Sequence, residues 1–528
     1  MSDTLADSPP PPEPAAPPLR KRGVAWLAWV VILLVVGFEL LWPHVRPARG
    51  RAGGQDTARR VLADIQVRQI VGWGELFDNR PLLYVEAKKS MDTGPVADRL
   101  RFLVVAGELQ GPGEALTQLG QLEEQIKQQG IEPTDEQRAV MEALAHLYRD
   151  RTVNEALVAT AAVSGLVPPE GQPWPALGSV AAAATWTRAE GGHPPPSLTD
   201  ADRELLRQEL GWSGELALTP PDDPDRAARA RVIAPARRLA KTFATVLGSG
   251  LVLGLFGLIG LIVWFAFFLT GRLRPALPPA TRHGGIYAEA FAVYMVVFLG
   301  LSVARALLPL VGPEMLVGGL AMLLSLAAGL TWPVLRGIPW AQVREEVGLT
   351  LGRHPLLQPV IGLAGYALIL PVFGIGAIVS VVLVSVQRSI QLGDRPEEHF
   401  SPVETPSHPI VEWLQHPDWR LLLQVTLLAC VLAPLVEETM FRGVLYRHLR
   451  NATARLGRTS SFLISAYLVS LLFAVIHPQG LLAVPALLAL AFGLTLLREW
   501  RGSLLPSMMV HGIHNGLTTF VLVQALRS

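Results

Sequence analysis

The sequence predicts an all-α, polytopic transmembrane helix bundle of about nine helices with an inserted aqueous, mostly helical domain. Three observations carry this. The chain of 528 residues is 50% hydrophobic and only 17% charged, with a positive mean hydropathy, too apolar for a soluble protein of this length. Its apolar residues fall in runs long enough to cross a hydrocarbon core of about 30 Å. The one long stretch without such a run, 44–240, is rich in charge and carries apolar residues at helical spacing.

The near balance of 45 basic and 44 acidic residues gives no global basic field, so no nucleic-acid partner is expected. A single cysteine, Cys430, lies in the apolar run Leu421 to Leu435. It excludes an intrachain disulfide framework and any metal site built from several cysteines. Chemistry must come from carboxylates, imidazoles, hydroxyls or amides.

Residues 1–22 form a Pro-rich tail ending in Arg20, Lys21 and Arg22; such a composition buries too little apolar surface to fold and is expected to be disordered and cytoplasmic. Residues 23–43 read as an uncleaved transmembrane anchor. The run is longer than a signal-peptide core and ends in Trp42 and Pro43 rather than in a small-residue cleavage pattern. Residues 44–240 are expected outside the cytoplasm as a small helical domain, with helical patterns at Arg99 to Leu109, Gly113 to Gln129, Thr134 to Arg149 and Thr199 to Leu210. Val167 to Pro196, rich in Pro, Gly and Ala, reads as an irregular connector.

Residues 241–416 are read as additional transmembrane helices and loops, and 417–528 as a catalytic core. After the anchor, spans are expected near Phe243 to Thr270, Ala288 to Leu310, Met315 to Leu335, Leu357 to Val386, Leu421 to Glu437, Phe462 to Ile476, Leu481 to Leu497 and Leu504 to Leu526. With a cytoplasmic N-terminus, the arginines at 272, 274 and 282, at 336, 344 and 353, from 442 to 458, and at 498 and 501 all fall on cytoplasmic connections. The positive-inside rule is met, with Arg388, Arg395 and Arg420 as exceptions. A multi-pass protein of a bacterial inner membrane is the expected location, with the bilayer itself a partner.

Three clusters carry chemistry. Glu437 and Glu438 are adjacent at the end of an apolar run and followed by Arg442. Ionised side chains in a bilayer cost about 2.5–3.5 kcal/mol each even on insertion scales, so the pair needs partners or a role, unless it sits in an interfacial turn facing water. Residues four apart share a helix face, so Glu438 reaches Arg442 while Glu437 points elsewhere. One acid is then neutralised and the other is left for proton transfer. His477 closes Phe473-Ala-Val-Ile-His477, and His511 stands four residues before Asn515, so the latter two can donate to one oxyanion. Full spans would separate His477 from Glu437 in depth; continuation of the helix through Leu449 before a turn near Gly457 brings them level.

Taken together, Glu437-Glu438-x-x-x-Arg442, Phe473-x-x-x-His477 and His511-x-x-x-Asn515 resemble the signature of the CAAX protease and bacteriocin-processing family, also called the abortive infection family, over about Trp419 to Gln524. The resemblance implies an all-helical intramembrane endopeptidase acting on a peptide or membrane-protein substrate. In it Glu437 and His477 activate a water, His511 and Asn515 form the oxyanion hole, and Glu438 and Arg442 hold the site. Glu437, His477 and His511 are the alternative set for a divalent metal such as zinc, although no His-Glu-x-x-His pattern is present. No other cofactor is expected.

Two readings from other classes compete: a non-proteolytic scaffold or chaperone of the same fold, and a proton-coupled transporter using the buried Glu and His. The complete five-residue set favours the enzyme, and no inverted repeat supports transport. The extracytoplasmic domain is a candidate for binding a partner. Ser249, between Gly248 and Gly250, is read as a helix-packing residue rather than a nucleophile.

Overall fold

The computed structural model describes residues 24–45, 51–77, 83–85, 88, 94–163, 198–221, 225–272, 276–277, 283–307, 314–352, 354–394 and 419–527. The proline-rich tail and the connector from Val167 to Pro196 lie outside them. Among the described residues every regular element is a helix. Seven are long and apolar enough to span a bilayer, Arg226–Leu269, Gly285–Arg305, Met315–Leu335, Pro355–Gln387, Trp419–Ala452, Arg458–Val475 and Leu481–Arg501: this is a multi-pass membrane protein.

The other two expected spans are helices that fall short as apolar spans. The first, α1 (Ala25–Val45), has an apolar stretch of only 17 residues, Ala25–Leu41. The last, Leu505–Arg527, is interrupted by His511, His514 and Asn515, the polar residues that make it of functional interest.

The chain divides into two compact units. One contains Ala48–Leu253, Ile378–Leu421 and Leu517–Ser528. Its helices α2 (Arg51–Leu76), α3 (Val96–Gln110), α4 (Pro112–Gln128), α5 (Asp135–Val163), α6 (Asp200–Leu210) and α7 (Trp212–Leu218) bury one continuous core around Leu100, Leu103, Leu119, Leu144 and Tyr148. Gly107 is required there, because a Cβ would meet the Tyr148 ring at 2.6 Å. Capping fixes the helix starts. The Thr199 hydroxyl accepts from the Asp202 amide at 3.1 Å while the Asp202 carboxylate accepts from the Thr199 amide at 2.9 Å, and Thr134 and Gln137 make the same exchange at 3.2 and 3.1 Å. The Asp202 carboxyl is held below the usual carboxylate range by these bonds from Thr199.

Helix α8 (Arg226–Leu269) begins earlier than its apolar run and passes Pro235 without ending. Ser249 is exposed, and its hydroxyl donates to the Thr245 carbonyl one turn back, at 2.6 Å.

The other unit, Met1–Pro47, Gly254–Ala377 and Leu422–Gly516, holds α1, α9 (Gly284–Leu307), α10 (Glu314–Leu335), the short α11 (Trp340–Val347), most of α12 (Gln358–Asp394), α13 (Trp419–Ala452), α14 (Arg458–Val475), α15 (Val484–Arg501) and most of α16 (Leu505–Arg527). Its core gathers Phe291, Val436, Met440, Phe441, Val444 and Phe473. Glu289, an isolated acid in α9, accepts from the Val24 amide at 2.7 Å and the Trp332 indole at 2.9 Å and pairs with Arg336 at 3.0 Å. A carboxylate that ties three elements together accounts for its place in an apolar helix.

Gly348 ends α11 in the left-handed region at φ 88°, where a Cβ would also lie 2.5 Å from the Arg498 guanidinium carbon. Its carbonyl accepts from Leu504 at 3.0 Å and so sets the start of α16.

Candidate active site

The diacid helix α13 is continuous through Ala452, and Gly457, at φ 81°, opens α14 after a single 3-10 turn. Glu437 lies 15 residues before the end of α13 and His477 two residues past the end of α14, so at 1.5 Å per residue they stand at similar depths of about 22 and 28 Å from the turn. The continuation of the helix beyond Arg442 removes the depth conflict.

Two widened π turns, Leu428–Leu432 and Glu438–Leu445, flank the acids. Such turns displace side chains from ordinary α spacing and recur at functional sites. The first meets α16 backbone to backbone: a Cβ on Gly512 would lie 2.5 Å from the Cys430 carbonyl oxygen. This close approach brings Asn515 within reach of the same turn, and its amide donates to the Ala429 carbonyl at 2.8 Å.

The two glutamates differ as their spacing predicts. Glu438 and Arg442 are fully buried and paired at 3.0 Å, whereas Glu437 is 20% exposed and His477 18%. Arg442 also lies 4.2 Å over the Phe473 ring and reaches the Ala491 carbonyl at 3.4 Å. A guanidinium with a carboxylate, a carbonyl and an aromatic face around it is compensated for its loss of water.

Both histidines aim Nε2 at Glu437. His477 Nδ1 lies 2.6 Å from the Phe473 carbonyl; a carbonyl only accepts, so Nδ1 carries the proton and Nε2 faces Glu437 Oε2 at 3.9 Å. His511 Nδ1 bonds Glu438 Oε1 at 2.9 Å while its Nε2 stands 3.7 Å from Glu437 Oε2. The Phe473 ring holds both imidazoles, with centroids at 4.1 Å to His477 and 6.0 Å to His511.

Five of the six residues singled out in the sequence, Glu437, Glu438, Arg442, His477 and His511, thus fall in one neighbourhood, while Asn515, one turn after His511, is turned to the π turn. The metal alternative fares differently. Among the described residues no group of three His, Cys, Asp or Glu is placed to hold a metal ion, Glu437, His477 and His511 included. Zinc ligation would place each donor about 2.0–2.2 Å from a common ion.

Sequence reasoning missed Tyr294, buried in α9 and within electrostatic range of Glu437. A lone tyrosine in an apolar span completes no motif. Two other histidines have structural partners: the Trp29 indole donates to His448 Nε2 at 2.9 Å, and the ring of His514 stands edge-on to Phe373 with centroids 4.9 Å apart.

Neither the curated proteins nor the solved structures include a match to this chain. A protein-family model does match, over residues 419–517, less than a fifth of the chain, and its description is Rce1-like, type II CAAX prenyl endopeptidase. A domain of that family implies a peptidase. The matched segment holds α13, α14 and α15 and the part of α16 that carries His511 and Asn515, so it is the C-terminal part of this multi-pass membrane protein that is similar to the Rce1-like family.

Proposed function

We propose that the protein is an intramembrane endopeptidase in which Glu437 and His477 activate a water and His511 and Asn515 stabilise the oxyanion. The observation that carries this is the convergence of two imidazole Nε2 atoms on the more exposed carboxylate, at 3.9 and 3.7 Å, while its neighbour is consumed by Arg442. At these separations the groups are too far apart for a direct hydrogen bond, the situation in which a water between them is to be considered.

In this reading the water donates one hydrogen bond to Glu437 and one to His477 Nε2. Glu437 takes a proton as the oxygen attacks the peptide carbonyl, then delivers it to the departing amine. The negative oxygen of the tetrahedral intermediate is met by the remaining Asn515 amide N–H and, with a proton on that nitrogen, by His511 Nε2. Glu438 and Arg442 position His511 rather than touch the substrate. Burial among apolar helices excludes bulk water from the intermediate.

The purified protein, incubated with a library of membrane-embedded reporter peptides in water enriched in 18O, is expected to release fragments whose new C-terminal carboxylate carries one heavy oxygen. Absence of any fragment across the library would transfer the reading to a scaffold built on the same helices.

A further inference from the structure

Away from the catalytic helices, α8 and α12 cross so closely that a Cβ on Gly257 would lie 1.7 Å from the Ala367 carbonyl oxygen. Beside this crossing, where Gly260 and Ala364 leave both helix surfaces low, lies an apolar groove of about 700 Å³. Phe256, Val263 and Phe267 line its length. Trp264 lies among these along the same helix, and the Trp500 indole and the exposed guanidinium of Arg272 complete the lining beyond the helix end. Arg272 has no hydrogen bond or ion pair among the described residues.

We propose that this groove binds one anionic phospholipid of the surrounding bilayer, its acyl chain along the groove and its phosphate at Arg272. Both walls are membrane-spanning helices, so the solvent at the groove is lipid hydrocarbon. The volume lies within the range of about 300–1,000 Å³ usual for small-molecule sites. The polarity is graded as in a lipid: an apolar wall from Phe256 to Phe267, then the Trp500 indole, of the kind that settles at headgroup level, and one cation open to a phosphate. A neutral lipid would leave that guanidinium without its complement. The inference does not depend on the peptidase reading.

The full-length protein is to be released from nanodiscs of equimolar phosphatidylglycerol and phosphatidylcholine and its retained lipids counted by native mass spectrometry. Arg272→Gln removes the cation, Ala364→Trp fills the groove, and Arg455→Gln removes an exposed cation elsewhere. The site predicts one phosphatidylglycerol retained in preference to phosphatidylcholine, at least tenfold less of it with Arg272→Gln and with Ala364→Trp, and no change with Arg455→Gln. Arg272→Gln keeps the test interpretable if Ala364→Trp does not fold. Equal retention of the two lipids, an equal loss with Arg455→Gln, or full displacement by inorganic phosphate alone would overturn the proposal, the last by reducing the site to a simple anion contact.

Discussion

His511 Nδ1 stands 2.9 Å from Oε1 of Glu438, the same oxygen that Arg442 engages at 3.0 Å. One buried carboxylate oxygen therefore joins a permanent cation to an imidazole whose other nitrogen faces Glu437. Glu438 is the hinge between structure and chemistry, and the two roles separate by mutation.

Removing the cation strands the carboxylate. Arg442→Ala is expected to destabilise the protein by about 3–5 kcal/mol, the usual cost of breaking a buried pair from one side. Equilibrium unfolding in mixed micelles measures it; a loss below 1 kcal/mol would show that His511 alone compensates Glu438.

At Gly512 the packing leaves no room for a side chain, since a Cβ would lie 2.5 Å from the Cys430 carbonyl oxygen. Gly512→Ala must push α16 off the π turn and carry His511 and Asn515 with it. A loss of cleavage of about 100-fold is expected, because small misplacements of catalytic groups cost that much, with a much smaller fall in melting temperature. Full activity would mean that α16 tolerates withdrawal.

Asn515 separates two uses of one amide, because one N–H is committed to Ala429 and the other is left for the oxyanion. Asn515→Ala is expected to lower kcat by about 10²–10³-fold, the range for loss of one oxyanion donor, with KM little changed. Asn515→Asp is expected to be no better, since it sets a carboxylate against the Ala429 carbonyl. Activity of the Asp variant near wild type would remove the amide from the mechanism.

The helix α6, far in sequence from the site, offers a control. Thr199→Ala removes the hydroxyl that caps α6 and should cost about 1 kcal/mol, seen as faster hydrogen exchange over 200–210 in the full chain. The Asp202 side of the cap has a pH signature. Its carboxyl is lowered in the folded state, so its contribution is present above the unfolded carboxylate value near 3.9 and fades as pH falls through the lower folded value. Protection of this helix that rises on acidification would contradict the cap.

Much of the site was legible because i,i+4 spacing is a geometric statement about any helix: it brought Glu438 to Arg442 and set Glu437 apart. The starts of α5 and α6 were legible in the sequence, with Thr134 and Thr199 marking bounds that the structure reproduces. The π turns at Leu428–Leu432 and Glu438–Leu445 were not, since i→i+5 bonding has no residue signature and is imposed by neighbours such as Gly512. Nor was the contact of Asn515 with Ala429, which depends on one of those turns. The expected ninth span, Leu504 to Leu526, is the helix Leu505–Arg527 and fell short as an apolar span because His511, His514 and Asn515 interrupt it.

The most direct test of the central claim compares wild type with Glu437→Gln on a membrane-embedded reporter, with and without chelator, after both are shown to melt alike. The account predicts cleavage by wild type that survives chelation and falls by about 10²–10⁴-fold in Glu437→Gln, the range for loss of a general base. Equal cleavage by the two proteins would contradict it, and loss on chelation restored by zinc would replace the glutamate-activated water with a metal-bound one.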